Sequence, residues 1–171
     1  MIQQDLAKTL KLHTLWLQED KGGQRANLRK ADLMAADLRE VNLEGADLRE
    51  INLEGASLEG ANLQYTDLRE ANLRNAILQN ADLYGANLQN ADLREAVLGK
   101  ANLQRIDLQK ADMRKADLRE ADLWAANLWD ADLEGADLRK ADLRGARLRE
   151  ADLRTADLEG AKLPIKIQSE R

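Results

Sequence analysis

The chain has no cysteine and no phenylalanine, one histidine, one proline, two tyrosines and three tryptophans in 171 residues. Without cysteine there is no disulfide, no thiolate nucleophile and no cysteine-built metal site. A lone histidine, His13, argues against a histidine-based metal centre and against a Ser-His-Asp triad. No apolar run exceeds a few residues, so no segment reads as a membrane span. The opening Met1-Ile2-Gln3-Gln4-Asp5 lacks the basic flank and apolar core of a secretion signal, and a cytoplasmic protein is expected. The charge imbalance is mild too: the formal net charge is −5, and residues 26–165 hold 27 acidic against 20 basic side chains. That balance offers no basic stripe to nucleic acid, and no direct contact with it is expected.

What the sequence does have is a repeat. Residues 26–165 are twenty-eight consecutive five-residue units, each close to Ala-Asp/Asn-Leu-x-x, with no insertion or deletion. With the Leu of each unit as position i, from Leu28 to Leu163, the one departure is Met113. Position i−2 is Ala except at Val41, Ile51, Thr66 and Ile106. Position i−1 is Asp or Asn except at Ser57, Ile77, Val97, Arg147 and Lys162.

A spacing of five excludes the two common periodic elements. On an α-helix of about 3.6 residues per turn the leucines would march around the whole cylinder. On a continuous strand they would alternate faces and half would meet water. A short extended piece at i−2 to i, with Ala and Leu inward and Asp or Asn outward, followed by a bend, satisfies the pattern. Each unit is then one side of a coil, and the units bury their apolar side by stacking on neighbours. At i+2 stand Gly45, Gly55, Gly60, Gly85, Gly135, Gly145 and Gly160 with Asn75, Asn80 and Asn90, residues suited to the positive φ of a type II turn. Glu70, Lys110 and their like occupy the same place elsewhere, so two turn types are expected in one molecule.

These units resemble the pentapeptide-repeat family, whose A-(D/N)-L-x-x motif builds a right-handed quadrilateral β-helix of four units per coil. The resemblance covers 140 of the 171 residues. It implies an all-β solenoid of about seven four-sided coils, a rod on the order of 34 Å long at strand spacing. The period alone gives the sides and not their number. The two apolar departures at i−1, Ile77 and Val97, lie twenty apart, which agrees with four.

The flanks break the period. Ile2, Leu6, Leu10, His13 and Leu17, with Leu12, Leu15 and Trp16 alongside, have the spacing of an amphipathic helix that ends at Gly22-Gly23. The expected organisation is a capping helix and linker over 1–25, a β-helix over 26–165 and a tail over 166–171. The helix either covers the first coil or recruits a partner. At the far end Pro164 blunts the sheet edge, and Ile165 and Ile167 are expected to fold over the last coil. Six residues are too few for the long C-terminal helix by which some family members dimerise, so a monomer is expected, with an end-to-end dimer as the alternative.

If four units make a coil, residues twenty apart stack in columns. Arg29, Arg49 and Arg69 share one, which resumes at Arg149, and Arg74, Arg94 and Arg114 share another. Asp92, Asp112, Asp132 and Asp152 form a carboxylate ladder, either a solvated face with ion pairs or a cation site. Tyr84 and Trp124 share a column with Gln104 between them, Tyr65 and Trp129 lie near the same edge, and Ile77 over Val97 makes a smaller apolar spot. These six, Tyr65, Tyr84, Trp124, Trp129, Ile77 and Val97, are the candidate contact residues for a protein partner. No catalytic residue and no cofactor is expected, because the carboxylates recur in every coil on a convex surface. The expected function is a non-catalytic interaction scaffold, a rigid rod that binds a protein partner through its faces, its aromatic edge or its end cap. The alternative that the resemblance implies is a mimic of duplex DNA that binds a type II topoisomerase.

Overall fold

A computed structural model describes residues 3–148, 151 and 153–165. Each described bridge in the repeat is parallel and joins residues twenty apart, from Asn27↔Asp47 to Asp142↔Lys162. Twenty residues are four units, so the coil has four sides. Each described side contributes one bridged residue, the one at i−1, which is mostly Asp or Asn, and no longer strand.

The corner between sides is a tight turn closed by the N–H of the next i−2 residue on the carbonyl of the leucine, as from Ala31 to Leu28 at 3.0 Å and from Ala101 to Leu98 at 3.0 Å. Every fifth residue from Lys30 to Gly145 has a positive φ, between 55° and 72°. This is the third residue of a type II turn. The expectation of two turn types is therefore corrected over this stretch: glutamate, lysine, tyrosine and arginine take the glycine conformation. An L residue in it costs about 1–2 kcal/mol. The neighbouring coil imposes it, because the N–H of that residue donates across the gap, from Glu70 to the Gln89 carbonyl at 3.0 Å and from Lys110 to the Trp129 carbonyl at 3.0 Å.

The interior is a column of leucine and alanine. From Ala46 to Leu143 every residue at i and i−2 is buried, Met113, Ile51 and Ile106 included. Thr66 is the polar exception, and its hydroxyl donates to the Leu63 carbonyl at 2.7 Å, so the buried group is satisfied.

The helix α1 (Gln3–Leu17) lies on the first coil, with Leu6 and Leu10 packed against the core. His13 is fully buried there, and its Nδ1 accepts the Ala26 N–H at 3.1 Å. Trp16 stacks on His13 with ring centroids 5.4 Å apart. The linker then passes close under α1. A Cβ on Gly23 would stand 2.3 Å from the Trp16 nitrogen, so only glycine fits. At the other end Leu148, Leu153 and Leu158 are half-buried. Ile165 is 85% exposed, which corrects the expectation that it folds over the last coil. Its neighbour Pro164 has no N–H to carry the inter-coil ladder further, and the Ile165 side chain is left to solvent. Ile2, Arg149, Asp152, Ile167 and the tail over 166–171 lie outside the described residues.

Candidate functional site

The outward Asp or Asn of each unit has a local task. Its Oδ1 accepts the backbone N–H two residues on, as in Asn42 from Glu44 at 3.0 Å and Asp122 from Trp124 at 3.0 Å. The side chain thus caps the start of the corner, which is why this position favours Asp and Asn. Where position i+1 is arginine, the carboxylate also receives its guanidinium. Arg114 donates through Nε to Asp112 Oδ1 at 2.8 Å and through Nη2 to Oδ2 at 2.6 Å, then reaches Asp132 of the next coil at 3.5 Å. Arg39, Arg49, Arg69, Arg94, Arg119, Arg139 and Arg144 fork their own aspartates in the same way. The Arg114 hydrogen bond holds the Asp112 carboxyl below its ordinary range, against the opposing effect of partial burial.

Much of the rod is therefore wrapped in alternating aspartate and arginine. In the candidate cation ladder Asp92 and Asp112 take Arg94 and Arg114, and Asp132 takes Arg114. No group of three or more His, Asp or Glu among the described residues could hold a metal ion.

A different chemistry occupies one corner. The Tyr65 ring lies over Gly85, close enough that a Cβ there would meet it at 2.9 Å. It packs edge to face on Tyr84 at 5.5 Å. The Arg105 guanidinium sits between Tyr84 and Trp124, 5.9 Å from one ring centroid and 5.4 Å from the other. Tyr65, Tyr84, Arg105 and Trp124 thus form one continuous strip along the rod. Tyr65 is 57% exposed and Trp124 40%. Cation–π contacts of this kind contribute about 0.5–1 kcal/mol at exposed sites.

The structure brings together three of the six candidate residues, and Arg105 as a fourth member that the sequence reading missed. Column arithmetic could have found it, since residue 105 stands one coil above Gly85 and beside Gln104. Trp129 lies one corner further round, 41% exposed, with its N–H on Asn127 at 3.4 Å. Ile77 bridges to Val97 on another side, so the apolar spot exists but is separate from the strip. Both lack the side-chain oxygen that caps the corner elsewhere. The hollow lined by Asp37, Arg39, Glu40, Glu59 and Asn80 is an open corner of the surface. No described helix is long and apolar enough to cross a membrane.

A four-sided solenoid with an aliphatic spine and an ion-paired skin defines a structural repeat protein. The family model described as pentapeptide repeats (8 copies) matches residues 24–55, 51–90, 86–124 and 126–163. The chain belongs to the pentapeptide-repeat family. The crystal structure of HetL, a pentapeptide-repeat protein involved in heterocyst differentiation regulation in the cyanobacterium Nostoc sp. strain PCC 7120, is 36% identical, with 81% of each chain covered and a TM-score of 0.52. QnrB1, a plasmid-mediated fluoroquinolone resistance protein, is 23% identical over 84% of each chain, with a TM-score of 0.47. The pentapeptide-repeat protein Rfr23 of the cyanobacterium Cyanothece 51142 is 26% identical over 91% of this chain and 95% of its own, with a TM-score of 0.33. No curated protein matches.

Proposed function

We propose that the protein is a non-catalytic interaction scaffold, a right-handed column of about seven coils that binds a protein partner through its aromatic edge. In this reading residues 1–25 are cap and linker, 26–165 the column and 166–171 a tail. The observation that carries it is the strip of Tyr65, Tyr84, Arg105 and Trp124. Large rings are exposed there on a rod whose surface elsewhere carries eight aspartate–arginine forks among the described residues, and aromatic and arginine side chains dominate the energetics of protein interfaces. A stiff solenoid loses little conformational freedom on binding. A regulatory role for HetL agrees with a binding rather than a catalytic task.

The alternative, a DNA mimic acting on a topoisomerase, has less support. Arginine forks cancel the carboxylate charge over much of the surface that would have to imitate a phosphate backbone.

The test is site-specific photocrosslinking in the native host. A benzophenone side chain replaces Trp124 on the strip or Glu134, half a coil away on the opposite corner. A discrete adduct from position 124 and none from 134 is expected. Equal labelling from both positions, or none from either, refutes the reading.

A further inference from the structure

The carboxylates beside the aromatic strip are held differently from those on the rest of the rod. Asp82 accepts Gln64 Nε2 at 2.6 Å and Asn102 Nδ2 at 2.9 Å. Asp107 accepts Gln89 Nε2 at 2.6 Å and Asn127 Nδ2 at 3.0 Å. Asp122 accepts Gln104 Nε2 at 2.5 Å. Amide donors fix the direction of a carboxylate without cancelling its charge. No salt bridge reaches these three aspartates among the described residues, although Arg144, forked on Asp142, is near enough to Asp122 to interact with it electrostatically, and Arg105 is engaged by the two rings. The stretch is bounded on its own column, since Asn62 is neutral and Asp142 is paired with Arg144 and Lys162. The strip is thus rings and the Arg105 guanidinium flanked by preoriented negative charge, and its complement is an apolar segment whose cations meet the aspartates and not Arg105.

Spacing narrows that complement further. Asp82 and Asp122 share one column two coils apart, and Tyr84 and Trp124 share the next column at the same separation. Two coils at strand spacing are about 9.5 Å. A polyproline-II helix repeats every three residues at a rise of about 3.1 Å, so equivalent side chains recur at about 9.3 Å. In an extended strand, side chains on one face recur at about 6.7 Å and fall out of step. Aromatic surfaces are a recurrent platform for polyproline-II segments, because that conformation has little entropy left to lose.

We propose that the strip binds a polyproline-II segment of a partner protein that carries arginine or lysine at every third residue. The segment lies along the rod axis, with its cations on Asp82 and Asp122 and the intervening residues against Tyr84 and Trp124. Asp107 flanks the strip on the adjoining side and adds to the field that attracts the cations. This names the partner chemistry for the aromatic edge and rests on the scaffold reading.

The full chain is titrated with a synthetic peptide of repeating Arg-Pro-Pro and followed by amide chemical shifts. Three control peptides are a Glu-Pro-Pro repeat, one with the same composition but arginine at alternate positions, and one with alanine for proline. Shifts confined to the strip are expected, with all three controls weaker by about fivefold or more, the worth of roughly 1 kcal/mol. The double variant Asp82→Asn, Asp122→Asn should lose the binding to the same extent while melting like the parent. Asn already occupies this position in many units, as at Asn62 and Asn102, so the fold accepts it. No binding, shifts on another corner, equal affinity for the respaced peptide, or indifference to the double variant would each overturn the proposal. If the crosslink at position 124 forms while the Arg-Pro-Pro peptide fails, the scaffold reading stands and only the partner chemistry falls.

Discussion

The substitution Gly23→Ala isolates the junction between α1 and the first coil. The added methyl would stand 2.3 Å from the Trp16 nitrogen, 2.5 Å from the Leu15 carbonyl carbon and 2.6 Å from the Trp16 Cα. These are backbone atoms inside a helix and cannot swing aside. Either α1 or the linker must leave its place. The contacts then lost are the bond from the Gln24 N–H to the Leu12 carbonyl at 2.9 Å and that from the Ala26 N–H to His13 at 3.1 Å, together with the partial burial of Leu6 and Leu10. At about 1 kcal/mol per hydrogen bond and about 1 kcal/mol per half-buried leucine, docking is worth about 3–5 kcal/mol. Gly22→Ala is the control one residue earlier. Gly22 has a φ of +91°, and a methyl added there would meet nothing within 4 Å, so only the backbone preference, about 1–2 kcal/mol, is at stake. Hydrogen exchange followed by NMR separates the two. In Gly23→Ala the amides of Gln24 and Ala26 should lose protection while the amide of Leu93, deep in the column, keeps it, because a solenoid couples mainly nearest neighbours. If Gly23→Ala retains slow exchange at Ala26 and melts no lower than Gly22→Ala, this account of the junction is wrong.

Other expectations follow from the same contacts. Burial, the largest cause, holds the His13 imidazole below its ordinary pKa, with Arg25 pushing the same way and the Glu44 carbonyl and carboxylate opposing. The docked state therefore resists a proton that the undocked state accepts near 6.5. Its contribution to stability is complete above that value and is lost as pH falls through the lower folded one. Melting of the parent should fall between about pH 7 and about pH 5, while His13→Asn, which keeps an acceptor for the Ala26 N–H, should fall less, and parallel curves would refute the role of His13. Leu93→Lys places a charge in the fully buried column and should abolish soluble folding, and a soluble, cooperatively melting variant would count against the core. Gly55→Ala meets nothing within 4 Å at a φ of +64°, so it should cost only about 1–2 kcal/mol in a denaturant melt, and a loss of several times that would contradict the open space around this corner.

A strict period of five, with Leu, Ala and Asp or Asn in fixed places, determined the solenoid, the inward spine and the outward carboxylates, because no other regular backbone can hide every fifth residue. The amphipathic spacing from Leu6 to Leu17 likewise announced α1. What the sequence left open was decided between coils. The turn at Glu70 or Lys110 looked unlike that at Gly55 because residue preference is local, whereas the inter-coil hydrogen bond that sets the corner joins residues nineteen apart. The task of Asp and Asn as caps was hidden for a similar reason: an outward polar residue reads as solvated until its oxygen is seen on the N–H two residues on. Arg105 was one charge among many along the chain, and only stacking set it between Tyr84 and Trp124. The period fixed which side chains face water; the tertiary structure decided which of them meet, since neighbours on this surface come from different coils.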